Sequence, residues 1–196
     1  EATLAMIRAL PGMKNLRAMA DFRGQVGKHS YYPHSLSIHA VIKRGDILVT
    51  GAGARICGYS VELERTMIVG KPTEEQVKFF ELMLRAQEIA LEKIRPGIRC
   101  SDVDRAVRTF FKEQGIMRYW RHHTGHGLGL EVHEAPFFDI GDNRVLKPGM
   151  VMSVEPGIYV ENLGGFRHSD TIVVTEDGYE VLTIYPRELE ELIIEK

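Results

Sequence analysis

Two amphipathic helical segments followed by a series of short strand-like runs constrain this chain to a layered α+β fold. Thr73-Glu74-Glu75-Gln76 has the capping-box form, in which a threonine hydroxyl and a glutamine three residues later satisfy each other's backbone N–H groups. It opens a predicted helix with Val77, Phe80, Leu84 and Leu91 at helical spacing, stopped at Arg95-Pro96-Gly97. Ser101 is the expected cap of a second helix, whose apolar stripe is Val103, Ala106, Val107, Phe110 and Phe111 and whose end is Gly115. Strand patterns follow over 149–155, 158–161, 166–175 and 180–184, separated by Pro-Gly and Asp-Gly turns. Upstream, Ile47-Leu48-Val49 reads as a buried strand, 51–58 as a turn-rich segment and 66–69 as a second strand. The start, from Glu1 to Pro11-Gly12, reads as a helix entered midway without a cap, so loss of an upstream portion is expected. The expectation is one domain, 1–196, of helices packed on a curved antiparallel sheet.

A length of 196 residues allows one substantial core. With 44% hydrophobic and 27% charged residues the composition is globular. A net charge of −2 gives no electrostatic footprint for nucleic acid, and no apolar run is long enough to span a bilayer. Cys57 and Cys100 do not make a disulfide framework, so a reducing cytoplasm is the expected compartment.

Chemistry concentrates in Arg121-His122-His123-Thr124-Gly125-His126-Gly127-Leu128-Gly129-Leu130-Glu131-Val132-His133-Glu134. Four histidines within 12 residues, interleaved with glycines, exceed what a packed core requires. Glycine lets a ligand or another backbone approach closely, and imidazole both binds metal and carries protons near neutral pH. Glu155, at the end of the apolar run Val151-Met152-Ser153-Val154, is a carboxylate whose burial is costly unless it is paired or coordinated.

Gly125-His126-Gly127, Val132-His133-Glu134, Lys147-Pro148-Gly149-Met150, Ser153-Val154-Glu155-Pro156-Gly157 and Val174-Thr175-Glu176-Asp177-Gly178 together resemble the creatinase, prolidase and aminopeptidase P superfamily. Gly45-Asp46, Gly58-Tyr59 and Arg65-Thr66 extend the resemblance upstream. It implies the pita-bread fold and a catalytic domain that usually follows a separate N-terminal one. It also implies hydrolysis of an amide bond, as by Xaa-Pro dipeptidases, and a homodimer.

The family's peptidases hold two divalent ions with two aspartates, a histidine and two glutamates. Carried over, these positions fall on Gly51, Glu62, His126, Glu155 and Ser169. Glycine and serine replace two carboxylates, so the resemblance implies at most one ion (Mn, Co, Fe or Zn), on Glu62, His126 and Glu155. Strand alternation puts His168 and Asp170 on the face opposite Ser169, where they cannot replace it. The expected catalytic residues are His34, Glu64, His126, His133 and Glu155, with His34, Glu64, His122 and His133 contacting substrate.

Leu63-Glu64-Arg65-Thr66 resembles creatinase, a metal-free relative in which the glutamate matching Glu64 grips a guanidinium-type substrate and the histidine matching His34 is catalytic. Three readings therefore stand. The first is a peptidase-like hydrolase of a small peptide. The second is a metal-independent amidinohydrolase or cyclic-amidine hydrolase acting on a small amidino or amine compound such as creatine or ectoine. The third is a non-catalytic peptide-binding module. Retention of His34, His126 and His133 favours an enzyme.

Overall fold

A computed structural model describes residues 18–35 and 39–195; the expected N-terminal helix lies outside them. The element order is β1 (Ala18–Val26), a 3-10 turn at Gly27–Tyr31, then β2 (Ile47–Ile56) and β3 (Tyr59–Val69). Helices α1 (Glu74–Lys93) and α2 (Cys100–Glu113) follow. The remainder is strand: β4 (Gly125–Gly127), β5 (Glu134–Phe138), β6 (Val151–Val154), β7 (Gly157–Val160), β8 (Gly164–Arg167), β9 (Asp170–Val174), β10 (Tyr179–Val181) and β11 (Ile193–Ile194).

Among the described residues, the strands form a sheet ordered β1-β2-β3-β11, a second ordered β10-β9-β6-β4-β5, and the ribbon β7-β8. Neighbours are antiparallel except β11, which runs parallel to β3. Backbone bonds between Glu64 and Ser169, both 3.0 Å, fasten β3 to the start of β9 and join the two large sheets. The helices lie against one side, and Phe79, Phe80, Met83, Val107 and Phe111 share a core with Met152, Val154, Phe166 and Ile172.

The capping box forms: Thr73 Oγ1 accepts from Gln76 N at 3.2 Å, and Gln76 Oε1 accepts from Thr73 N at 2.9 Å. Gln76 also donates to the Gly45 carbonyl, which turns the buried face of α1 toward Phe79, Phe80, Met83, Ala86 and Gln87. Val77 and Leu84 are left at its margin, only half-buried. The cap of α2 is Arg99, not Ser101. Ser101 is buried inside the first turn and donates to Asn143 Oδ1.

Two other expectations are corrected. Residues 51–56 belong to β2, because continuous pairing with both β1 and β3 satisfies a backbone that glycines alone would leave free to turn. The turn is confined to Cys57 and Gly58, both at positive φ. The 166–175 run divides into β8 and β9, with His168 and Ser169 at the break, so that one stretch of sequence serves two sheets.

Candidate active site

Glu62 on β3, His126 on β4 and Glu155 just past β6 converge, with their donor atoms all within 4.8 Å of one another. Helix α2 sets this geometry. Its buried Asp104 accepts from Thr124 N at 3.1 Å and Thr124 Oγ1 at 2.8 Å, and the Thr124 carbonyl accepts from Glu155 N at 2.8 Å. The glycines flanking His126 are required by close approach. A Cβ at Gly125 would stand 2.0 Å from the Ser153 carbonyl oxygen, and one at Gly127 2.7 Å from that of Glu134.

His126 is fully buried. Its Nδ1 lies 3.0 Å from the Gly127 carbonyl, which can only accept, so Nδ1 carries the proton and Nε2 faces the carboxylates. Nε2 is 3.1 Å from Glu155 Oε1 and 3.3 Å from Glu62 Oε1, yet makes no aligned hydrogen bond to either. Burial pulls the imidazolium pKa down, but the two glutamates outweigh it and raise it to about 10. Burial likewise pushes Glu155 up, but His126 and Arg167, 3.7 Å away, hold it well below the usual carboxylate range. An orphaned imidazole nitrogen between two carboxylates suits a divalent ion such as Mn, Fe, Co or Zn. The donors present therefore fit one ion.

Gly51 offers no ligand. Ser169, fully buried, places its hydroxyl 3.4 Å from Glu62 Oε1 and 3.3 Å from Ser153 Oγ. His168 and Asp170 point elsewhere: His168 Nδ1 accepts from Thr66 N, and Asp170 pairs with Arg65 at 2.8 Å.

His133 and His34, both exposed, extend the site outward. The His133 ring centroid is 4.2 Å from that of His126, and His34 lies 6.2 Å beyond. Partial burial lowers both pKa values, for His133 with help from His126 and for His34 from Arg167 and Arg23. At neutral pH each is a neutral imidazole with one donor and one acceptor.

Two residues expected to contact substrate have partners within the chain. Glu64 is buried, and its carboxylate holds Arg167 through both oxygens and Arg23 at 3.1 Å. The guanidinium expected from a substrate is supplied by the chain itself. His122 packs face-on against Trp120, with Nε2 2.7 Å from Tyr159 Oη and Nδ1 2.8 Å from the His123 carbonyl. Both nitrogens are engaged inside the protein, and burial lowers its pKa to about 4.

Arg167, Arg23 and Tyr159 were not anticipated from the sequence. Arg167 donates to Tyr159 Oη at 2.5 Å and to the Pro33 carbonyl at 2.8 Å, tying the His34 segment to the centre. Alternation places Arg167 on the same face as Ser169, a signal that was available. Arg23 reaches Glu64 from 41 positions away, and nothing local announces it.

A model of metallopeptidase family M24 matches residues 15–176. The Xaa-Pro dipeptidase of Pyrococcus furiosus is 42% identical over 163 residues, 83% of this chain and 47% of that protein. The probable dipeptidase PepE of Mycobacterium tuberculosis is 40% identical over 164 residues, 83% of this chain and 44% of that one. Among solved structures, an Xaa-Pro dipeptidase from Bacillus anthracis superposes with a TM-score of 0.85 at 37% identity, covering 90% of this chain and 49% of that one. An X-Pro aminopeptidase from Thermotoga maritima gives 0.83 at 34%, again covering 90% and 49%. The chain spans about half the length of the curated relatives it matches.

Proposed function

The chain belongs to metallopeptidase family M24 and has its pita-bread fold, and on that premise we propose that it hydrolyses the C–N bond of a small peptide, in the manner of an Xaa-Pro dipeptidase. We further propose that its site holds at most one divalent ion, on Glu62, His126 and Glu155. The observation that carries this reading is the buried His126 Nε2, unpartnered between two carboxylates, beside Gly51 and Ser169, which offer no carboxylate.

A bound ion there supplies Lewis acidity toward a carbonyl or a water. The chain's own residues do the rest. His126 is fixed by the Gly127 carbonyl, so its lone pair needs no reorientation. His133 and His34, neutral and exposed, present N–H donors beside the centre, where the oxygen of a tetrahedral adduct gains charge. Glu155, held ionised, can take the proton of the attacking water and return it to the leaving nitrogen as the C–N bond breaks.

A metal-independent, creatinase-like hydrolase is the second reading. It is favoured by the geometry: with Nε2 3.1 Å from Glu155 and 3.3 Å from Glu62, an imidazolium at His126 would balance both carboxylates without an ion. A peptide-binding module without catalysis is the third. Cytoplasmic location, on the two cysteines that make no disulfide framework, and a homodimer, on the family resemblance, belong to the same proposal. No helix among the described residues is long and apolar enough to cross a membrane.

Elemental analysis of protein purified without chelator, with Glu155→Ala alongside, tests the metal. About one ion per chain, lost in the variant, is expected from the three-donor set. Two ions per chain would overturn the assignment of Gly51 and Ser169 as lost ligands. No ion, even after incubation with Mn or Co, would remove the peptidase reading.

A further inference from the structure

Register places Asp21, Gly53 and Glu62 in one cross-strand row of β1, β2 and β3, and Arg23, Gly51 and Glu64 in the next row on the same face. All six line one cavity of about 280 Å³ that opens beside the candidate centre at Glu62. In the second row the glycine leaves a gap, and Arg23 crosses it. Its Nη2 is 3.1 Å from Glu64 Oε1, and its Nε is 3.2 Å from where a Cβ of Gly51 would stand.

In the first row no described side chain crosses from one acid to the other. Asp21 leans over the gap, its Oδ1 only 2.5 Å from where a Cβ of Gly53 would stand. Glu62, its side chain 8% exposed, borders the other side. Arg23 is turned to Glu64 and Arg55 to Ser60, and Asp21 has no ion pair among the described residues. The Glu62 end of the row also meets the fully buried, unpartnered Nε2 of His126, 3.3 Å from Glu62 Oε1. There the row meets the candidate centre.

We propose that a cationic group of the substrate crosses the Asp21–Gly53–Glu62 row, with an ammonium or guanidinium on Asp21 and the bond to be cut at Glu62, His126 and Glu155. Asp21 is then the residue that selects charged substrates. The proposal rests on the hydrolase reading above. The chain supplies the precedent, since Arg23 spans the neighbouring gap in the same way. A bare ion does not suit the row: the donor cluster that gathers Glu62, His126 and Glu155 within 4.8 Å excludes Asp21. Two strand spacings separate the flanking acids by about 10 Å at their Cα atoms, a span for a small organic molecule. The cation has two sources, the N-terminal ammonium of a peptide or a basic side chain on its first residue.

The test compares the full wild-type chain with Asp21→Asn on Ala-Pro, acetyl-Ala-Pro and Lys-Pro. Asp21 is exposed, so the substitution spares the core. The expected result is a KM for Ala-Pro raised about tenfold with kcat held within about twofold, as for loss of an interaction made equally in ground and transition states. Asp21→Glu should recover most of the loss. If acetyl-Ala-Pro is equally poor for both proteins, the ammonium is the source. If wild type prefers Lys-Pro and Asp21→Asn loses that preference, the side chain is. An unchanged KM for both free peptides overturns the proposal. Should wild type cleave no proline peptide, the hydrolase reading falls by itself, and calorimetric titration with alaninamide decides the subsite. Weaker binding to Asp21→Asn supports it; equal binding, or none to either protein, overturns it.

Discussion

Glu64 and Arg167 each expose about 2% of their side chains, and the charge of one is what makes the other tolerable in the interior. Glu64→Gln should therefore leave a buried guanidinium short of its counter-charge and cost about 3 kcal/mol or more, read as a lowered urea midpoint. A glutamate that gripped substrate would behave oppositely, raising KM with stability untouched, so the two measurements separate the roles. His168 makes a second prediction at this scale. Its Nδ1 accepts from Thr66 N and its Nε2 donates to the Arg187 carbonyl, while burial lowers its pKa to about 3. Above the unfolded value of 6.5 both states are neutral and the shift contributes nothing. Below it the unfolded chain takes a proton that the folded chain refuses. Stability should thus fall by about 1.4 kcal/mol per pH unit from this group between roughly pH 6 and 4. Urea titrations across that window should show a shallower slope in His168→Gln.

Helix α1 is held at its start by a reciprocal cap and along its length by Gln87, which donates to the Val154 carbonyl at 2.9 Å and to Asp170 Oδ2 at 3.0 Å. Thr73→Ala should cost about 1 kcal/mol, a fall in Tm of about 2–4 °C for a chain of this size, with catalysis unchanged. Strand β4 is less forgiving. Gly125→Ala would press a methyl into the Ser153 carbonyl and must part β4 from β6, moving His126 away from Glu155. Activity and any bound metal should be lost together, at a stability cost of about 3 kcal/mol or more. The cap of α1 was legible because four consecutive residues contain it. The true cap of α2 was not: Ser101 has the right side chain, but Asn143, 42 positions on, takes its hydroxyl. Periodicity also placed β2 too short, since its glycines continue the strand only because β1 and β3 pair with it on both sides.

Across the whole molecule the two large sheets meet at Glu64 and Ser169, and the C-terminal segment locks that joint. Arg65 donates to the carbonyls of Pro186 at 2.8 Å and Tyr185 at 3.1 Å while paired with Asp170, and β11 then lies beside β3. Removing residues 185–196 should strip Arg65 of those acceptors and uncover Leu192's pocket, and limited proteolysis should then cut near β9 and β10. The sequence by itself determined the α+β class, the two helices, the family, and the convergence of His126, Glu62 and Glu155, because periodicity, caps and ordered motifs are local or collinear properties. Only the tertiary structure decided which carboxylate the arginines hold. Glu64 is claimed by arginines 41 and 103 positions away, while Glu62 faces an open row completed by Asp21 from another strand. Charge pairing in the interior depends on distance in space, and strand register, which no single segment encodes, sets that distance.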